Sequence, residues 1–471
     1  MVIAKNLSTF ALTQTWFTIF LKQMISKYFP LASVLVVILL FLSSCLNTST
    51  DNVEYSPDAQ IYAFSLSSRS DTAALMTATQ FTIDQINGRI FNKEPLPYLF
   101  HVDSALLSLR GSSTYIPLSQ VMLTLDEDST FLWQSSDSVA INRLSMITTT
   151  APDGVTKKEY RFELNIYQED PYILTWQNLG NDYLPALSLS QKTIPLNGRL
   201  ITYYLTAERI EAVMTDAGDN LVWSPLNLVG LPATTDLSAV TVTDEGVFAL
   251  DSVANTVYLS SDGIVWDAVS SDLNVQAIYG TLPTTGEGKL LLAVKQDERL
   301  RFAVTTDFTE VVMMNNLPEQ FPLSAFSAVQ VDDPASYSIK HLLLAGGKAT
   351  DNTFSNRIWI LQQKEELISW IFSRVPESLT LQGSSLFYYD SKPYLMAASA
   401  EKNILYLSDN YGLDWEQSGE NQAFPAEFPL RTNASVSTDS ENYIWIFGGI
   451  SSQQTQIADV WRGRFNKFSG M

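Results

Sequence analysis

Asn255-Thr-Val-Tyr-Leu-Ser-Ser-Asp-Gly-Ile-Val-Trp266 and Asn403-Ile-Leu-Tyr-Leu-Ser-Asp-Asn-Tyr-Gly-Leu-Asp-Trp415 are two copies of one pattern, with Tyr411 as the only insertion. Each reads as a short β-strand, then a turn carrying Ser, Asp or Asn and Gly, then a tryptophan. Weaker relatives run through Ile210–Trp223, Arg301–Val312 and Arg357–Trp370. A second pattern recurs independently. Gly346-Gly347 ends an apolar run and precedes Trp359, and Gly448-Gly449 precedes Trp461 at the same spacing. Matched repeats with a period of roughly 40–50 residues point to the blades of a β-propeller.

Hairpins anchored near residues 223, 266, 312, 370, 415 and 461 mark six units, or seven if 180–205 holds another. Two further apolar runs precede each hairpin, as Ala239–Thr243 and Val247–Leu250 precede Asn255–Ser260. Four strands per unit is the arithmetic of a propeller blade. The last unit stops soon after Trp461, so a strand from around Leu184–Ile194 is expected to complete it and remove an open edge. The propeller is assigned to 177–471.

Ahead of it, 56–176 lacks repeats but keeps the β alternation. Tyr160, Phe162, Leu164 and Ile166 alternate with polar residues, as a half-buried strand requires. About seven such runs suggest an immunoglobulin-like β-sandwich. No segment sustains a helical period, so the whole chain reads as all-β.

The N-terminal end carries an address. Leu31–Leu42 is an apolar run too short to span a bilayer. It is followed by Ser43, Ser44 and Cys45, and no acid occurs in 1–44. That is the layout of a secretory signal, and Leu42-Ser-Ser-Cys45 resembles the lipobox of bacterial lipoproteins. The resemblance implies cleavage before Cys45, lipidation of its thiol and a membrane partner reached through the lipid. Met24 opens a better-proportioned signal and is the expected true start. Residues 45–55 then read as a flexible tether.

The repeat turns invite a chemical reading. Asp262 could act as a catalytic or calcium-binding carboxylate, but Asn410 holds its place in the second copy. The turn's own needs suffice: a short acceptor for turn amides, a glycine for positive φ and a tryptophan for packing. Ser260, Asp262, Gly263 and Trp266, with Ser408, Asn410, Gly412 and Trp415, are therefore read as structural. So are Gly346, Gly347, Trp359, Gly448, Gly449 and Trp461, because no lysine-serine pair or helix start follows the glycines.

The first motif resembles the Asp-box of sialidases, and the second resembles kelch repeats of galactose-oxidase-like propellers. The whole arrangement resembles a family of uncharacterised Bacteroidetes lipoproteins with an Ig-like domain before the propeller, which implies an outer-membrane location. The chemistry of the related enzymes is not matched. Copper-radical oxidation needs a Cys–Tyr crosslink and histidines, and the chain holds only Cys45, His101 and His341. The Arg-Ile-Pro signature of sialidases is missing after Arg89-Ile90, Arg209-Ile210 and Arg357-Ile358. Zinc requires clustered His or Cys. No cofactor, metal site or catalytic residue is assigned.

A glycosidase needs only a carboxylate pair, and Asp126-Glu-Asp128, Asp244-Glu245 and Asp332-Asp333 are the densest acids. All lie between strand runs, where acids serve as solvated turns. With 50 acidic against 29 basic residues and a net charge of −21, the chain lacks the basic footprint of nucleic-acid binding. The expected role is a lipid-anchored envelope protein that binds a glycan or a protein through its propeller. The alternatives are a carbohydrate-active hydrolase with carboxylates in the funnel and a scaffold of an outer-membrane complex.

Overall fold

The computed structural model describes residues 55–111, 116–126, 129–186, 188, 190–270, 272–284, 288–333 and 339–469. Cys45, the signal segment, Met24 and nearly all of the tether lie outside these residues, as do Glu127 and Asp128. Apart from one four-residue helix, Leu75–Ala78, and two 3-10 turns, the regular elements are strands. The first compact unit ends at Ile166 and the second begins at Tyr167.

In the first unit, strands β1 (Ala63–Ser67), β2 (Phe81–Asp84), β3 (Arg89–Asn92), β4 (Ala105–Arg110) and β5 (Gln120–Leu125) come first. They are followed by β6 (Ser129–Leu132), β7 (Ser138–Val139), β8 (Leu144–Thr150) and β9 (Lys157–Glu163). They form a three-stranded sheet, β1-β4-β7, and a six-stranded sheet, β2-β3-β9-β8-β5-β6. Among the described residues nine strands replace the expected seven, and β3 pairs with β9 in parallel. Alternation works as anticipated on β9: Tyr160 and Phe162 are buried with Ile90, Leu107, Leu123 and Ile147 in one apolar core. The Tyr160 hydroxyl accepts the Ile61 amide and donates to Gln85 Oε1, so the buried phenol is satisfied at both lone pair and proton.

The second unit repeats one four-stranded sheet six times. Blade 1 is β11 (Gln191–Leu196), β12 (Arg199–Leu205), β13 (Ile210–Asp216) and β14 (Ser224–Leu226). Blade 2 is β15 (Thr235–Thr243), β16 (Gly246–Asp251), β17 (Thr256–Ser260) and β18 (Asp267–Ala268). Blade 3 is β19 (Asn274–Leu282), β20 (Lys289–Gln296), β21 (Arg299–Thr305) and β22 (Val311–Asn316). Blade 4 is β23 (Ser324–Asp332), β24 (Lys340–Lys348), β25 (Ile358–Lys364) and β26 (Leu367–Phe372). Blade 5 is β27 (Ser385–Tyr389), β28 (Lys392–Ala398), β29 (Asn403–Leu407) and β30 (Glu416–Gln417). Blade 6 takes β31 (Ser435–Thr438), β32 (Ile444–Ile450) and β33 (Gln456–Phe465) from the end of the chain. Its fourth strand is β10 (Leu174–Asn181), which pairs with β33 from Leu174 opposite Phe465 to Asn181 opposite Asp459.

That strand corrects two expectations. The ring is closed by 174–181, outermost in blade 6, rather than by 184–194, whose last residues open the innermost strand of blade 1. The first unit also ends ahead of residue 176. Leu174 is buried and Trp176 packs against Phe424 with ring centroids 4.9 Å apart, so both belong to the packing of the second unit. Clusters of buried residues fill the space between neighbouring blades, as where Leu291, Phe302, Leu344 and Trp359 meet. The second strands, such as β20, are apolar over most of their length because both faces of each blade are covered.

Candidate functional site

The repeat turns lie at the blade periphery, between third and fourth strands. In blade 2 Asp262 Oδ1 accepts the amides of Ile264 (2.8 Å) and Val265 (3.0 Å), and the Ser260 hydroxyl accepts the Gly263 amide (2.9 Å). These amides, Val265 foremost, hold the Asp262 carboxyl below its ordinary pKa. In blade 5 Asn410 Oδ1 accepts the Asp414 amide (2.8 Å), and the Ser408 hydroxyl accepts the Gly412 amide (2.8 Å). Trp266 and Trp415 are buried, and the Trp415 indole donates to the Gly412 carbonyl (3.1 Å).

A third copy was only faintly legible. In blade 3 the Thr305 hydroxyl accepts the Phe308 amide (2.9 Å), and Asp307 Oδ1 accepts the Thr309 amide (2.9 Å). Phe308 sits at φ 66°, where Gly263 has φ 75°. Its ring is buried against Phe248, 5.8 Å away, and this packing offsets the strain of the left-handed conformation.

The diglycines also share one geometry. Trp359 pairs with Leu344 and Trp461 with Ile446, each two residues before the first glycine. Gly347 has φ 95°, and a Cβ there would meet Pro322 Cβ at 2.6 Å. Both tryptophans are buried. In blade 6 the turn is tied further by Arg431. Its guanidinium donates to the Gly448 carbonyl (2.8 Å) and forms a two-pronged pair with the Asp459 carboxylate, which also accepts the Trp461 indole N–H (2.8 Å).

Concavity is found elsewhere. The six innermost strands β11, β15, β19, β23, β27 and β31 surround a central channel with a cavity of about 570 Å³. Its wall is mostly hydroxyl, amide and backbone: Ser190, Thr193, Ser238, Thr241, Thr281, Ser324, Gln330, Asn433 and Ser437 are among the lining residues. A sheet's first strand exposes its unpaired backbone edge here, and short polar side chains satisfy it without filling the space.

Three of the six seams between inner strands are stapled by hydroxyls. The Ser327 hydroxyl accepts the Leu386 amide (2.8 Å) between blades 4 and 5, and Ser385 donates to the Ala434 carbonyl (2.8 Å) between blades 5 and 6. The Ser435 hydroxyl accepts the Thr193 amide (3.0 Å) and donates to the Thr193 carbonyl (3.1 Å) between blades 6 and 1.

Of the three seams without such a staple among the described residues, the one between blades 1 and 2 is charged. There Lys192 of β11 and Asp236 of β15 are the only charged side chains among the described lining residues. Asp236 Oδ1 accepts the Ser238 amide (2.9 Å) and hydroxyl (2.6 Å). Its strand loses regular pairing with β16 between Asp236 and Thr241, which carries Ser238 out to an exposed position. Lys192 is half-buried, and among the described residues its ammonium has no hydrogen bond or ion pair. Burial in the wall pulls its pKa below the ordinary lysine value, and the Asp236 charge draws it part of the way back.

The sequence singled out neither Lys192 nor Asp236. Of the aromatics considered for sugar stacking, Tyr389 is buried, while Trp223 and Trp370 are half-buried. Trp223 packs on Tyr183 at 4.9 Å, and Trp370 faces Phe302 at 6.4 Å. None of the three lines the channel. His341 is half-buried on β24, and burial, with the nearby Lys364 charge, lowers its pKa. No group of three His, Cys, Asp or Glu side chains suited to a metal occurs among the described residues.

A closed ring of six four-stranded blades around a polar channel defines a β-propeller protein. The chain belongs to the DUF6242 family: its beta propeller domain matches residues 170–470, and its N-terminal domain, of unknown function, matches residues 49–164. No curated protein sequence matches the chain. Among solved structures, YjhT is 12% identical with a TM-score of 0.41, covering 59% of this chain and 94% of its own. The fucose-specific lectin from Aleuria aurantia is also 12% identical, with a TM-score of 0.36 and coverage of 59% and 92%. A streptogramin B lyase is 10% identical, with a TM-score of 0.36 and coverage of 63% and 100%.

Proposed function

We propose that this chain is a binding module that receives a hydroxyl-rich ligand, a glycan, in the central channel of its propeller. The observation that carries this reading is the channel itself. Its volume of about 570 Å³ lies within the range of roughly 300–1,000 Å³ that small-molecule sites occupy. Its wall presents short hydroxyl and amide groups that match a sugar's alternating donors and acceptors. Asn433, Gln330 and Ser238 are exposed there, and Asp236 is the single carboxylate among the described lining residues. A glycosidase needs two, so binding is favoured over hydrolysis.

The same proposal includes lipidation at Cys45, an outer-membrane address, an immunoglobulin-like first unit and a kelch and Asp-box ancestry of the blades. Intact mass of the product from its native host tests the anchor: an unprocessed, unlipidated chain contradicts it. A glycan array tests the binding role. Saturable retention without released sugar is the expected outcome. Retention of no glycan contradicts the reading, and release of product replaces binding with hydrolysis.

A further inference from the structure

We propose that Lys192 makes the channel a site for acidic sugars, with its ammonium pairing a uronate carboxylate or a sugar sulfate at the seam of blades 1 and 2. This rests on the reading of the channel as the ligand site and names the ligand's charge.

The contrast among seams carries the inference. Where inner-strand hydroxyls of Ser327, Ser385 and Ser435 bridge adjacent blades, the wall's polar groups are consumed by the fold. The seams between blades 1 and 2, 2 and 3, and 3 and 4 carry no such hydroxyl staple among the described residues, and of these only the first places a cation in the wall. An ammonium has three donors to satisfy, and Lys192 finds no partner among the described residues. A structural lysine would reach a carboxylate or carbonyl, as Lys340 reaches Asp332 and Lys467 reaches Asp390. Asp236 could have served, but its Oδ1 is turned to Ser238 and the carboxylate lies beyond ion-pair reach of Lys192. A half-desolvated, unpaired cation facing a ligand-sized cavity is a place for an anion.

The hydroxyl and amide groups around it, Thr241, Gln330 and Asn433 among them, suit the neutral remainder of a sugar. The net charge of −21 does not prevent this, because solvent-exposed charges more than about 8 Å away are largely screened at physiological salt. Asp236 then acts as a selectivity element, repelling ligands whose second charge falls at its end of the seam.

The test is equilibrium binding of the full chain to tri-galacturonate and other uronate-bearing or sulfated oligosaccharides. Each uronate is measured beside its methyl ester, and each sulfated sugar beside its desulfated form. The expected result is at least tenfold tighter binding of acidic members than of their uncharged counterparts, falling with added salt. Lys192→Met should remove that preference, Lys192→Arg should keep most of it, and Asp236→Asn should tighten acidic ligands several-fold. Equal affinity for acid and neutral forms, or a preference that survives Lys192→Met, overturns the inference and leaves the binding role standing. Binding of neutral sugars alone does the same. Retention of no sugar of either kind overturns both.

Discussion

The peripheral turns and the channel wall use similar residues to opposite ends. At the Ser260–Trp266 and Ser408–Trp415 turns the Ser260 and Ser408 hydroxyls and the Asp262 and Asn410 side-chain oxygens are spent on local amides, with a carboxylate at 262 and an amide at 410 in the same role. In the wall between blades 1 and 2, by contrast, the Lys192 ammonium has no partner among the described residues. A position that tolerates loss of its charge serves the fold, while a desolvated charge without a partner points to something outside the fold.

The largest effect that sharpens this contrast lies in the repeat. Trp359→Ala should destabilise the chain by about 3–5 kcal/mol, the usual outcome of emptying a buried aromatic site. Urea denaturation measures it, and a change below about 1 kcal/mol would remove the diglycine–tryptophan unit from the framework. Gly347→Ala should also destabilise, through its φ of 95° and the close Pro322. The midpoint of the same curve reports it.

Next in size is Asp262. Asp262→Ala, which strands two turn amides, should cost about 1 kcal/mol, whereas Asp262→Asn should be close to neutral at pH 7. The sign of the pH effect follows from the lowered pKa. The carboxylate's contribution is present above the ordinary aspartate value and is lost as pH falls through the folded value. The asparagine variant should therefore lose less stability than the parent on acidification. Parallel acid titrations of parent and variant would break the comparison.

Smaller still is the stability effect of Lys192→Met. Because the folded lysine pKa is lowered, protonation at neutral pH costs folding free energy. The variant should be slightly more stable at pH 7, and the gain should fade as pH approaches the ordinary value of 10.5. A clear loss of stability at pH 7 would make Lys192 a structural residue. His341 should give the smallest change. With its pKa lowered, stability falls as pH drops below 6.5, and His341→Gln should remove that slope in thermal unfolding between pH 7 and pH 5.

The blades were legible in the sequence because repetition amplifies a weak signal. The hairpins ending near 223, 266, 312, 370 and 415 fall just before or within the outer strands of blades 1 to 5, whereas Trp461 lies on β33, the third strand of blade 6. The closing strand was misplaced because 174–181 and 184–194 both alternate, and alternation does not say which edge a strand will join. Lys192 and Asp236 were invisible for the opposite reason. They occur once, in unremarkable surroundings, and only the ring brings β11 beside β15. The clustering of serine at the inner strands, as in Ser324-Ala-Phe-Ser327, Ser384-Ser385 and Ser435-Val-Ser437, was the one trace of the channel the sequence carried.

The most direct test sets the two regions against each other. Calorimetric titration of one acidic oligosaccharide into the parent, Lys192→Met and Asp262→Asn should show at least a tenfold loss for the channel variant and none for the turn variant. Undiminished binding by Lys192→Met, with loss in Asp262→Asn, would move the site to the periphery and contradict the account.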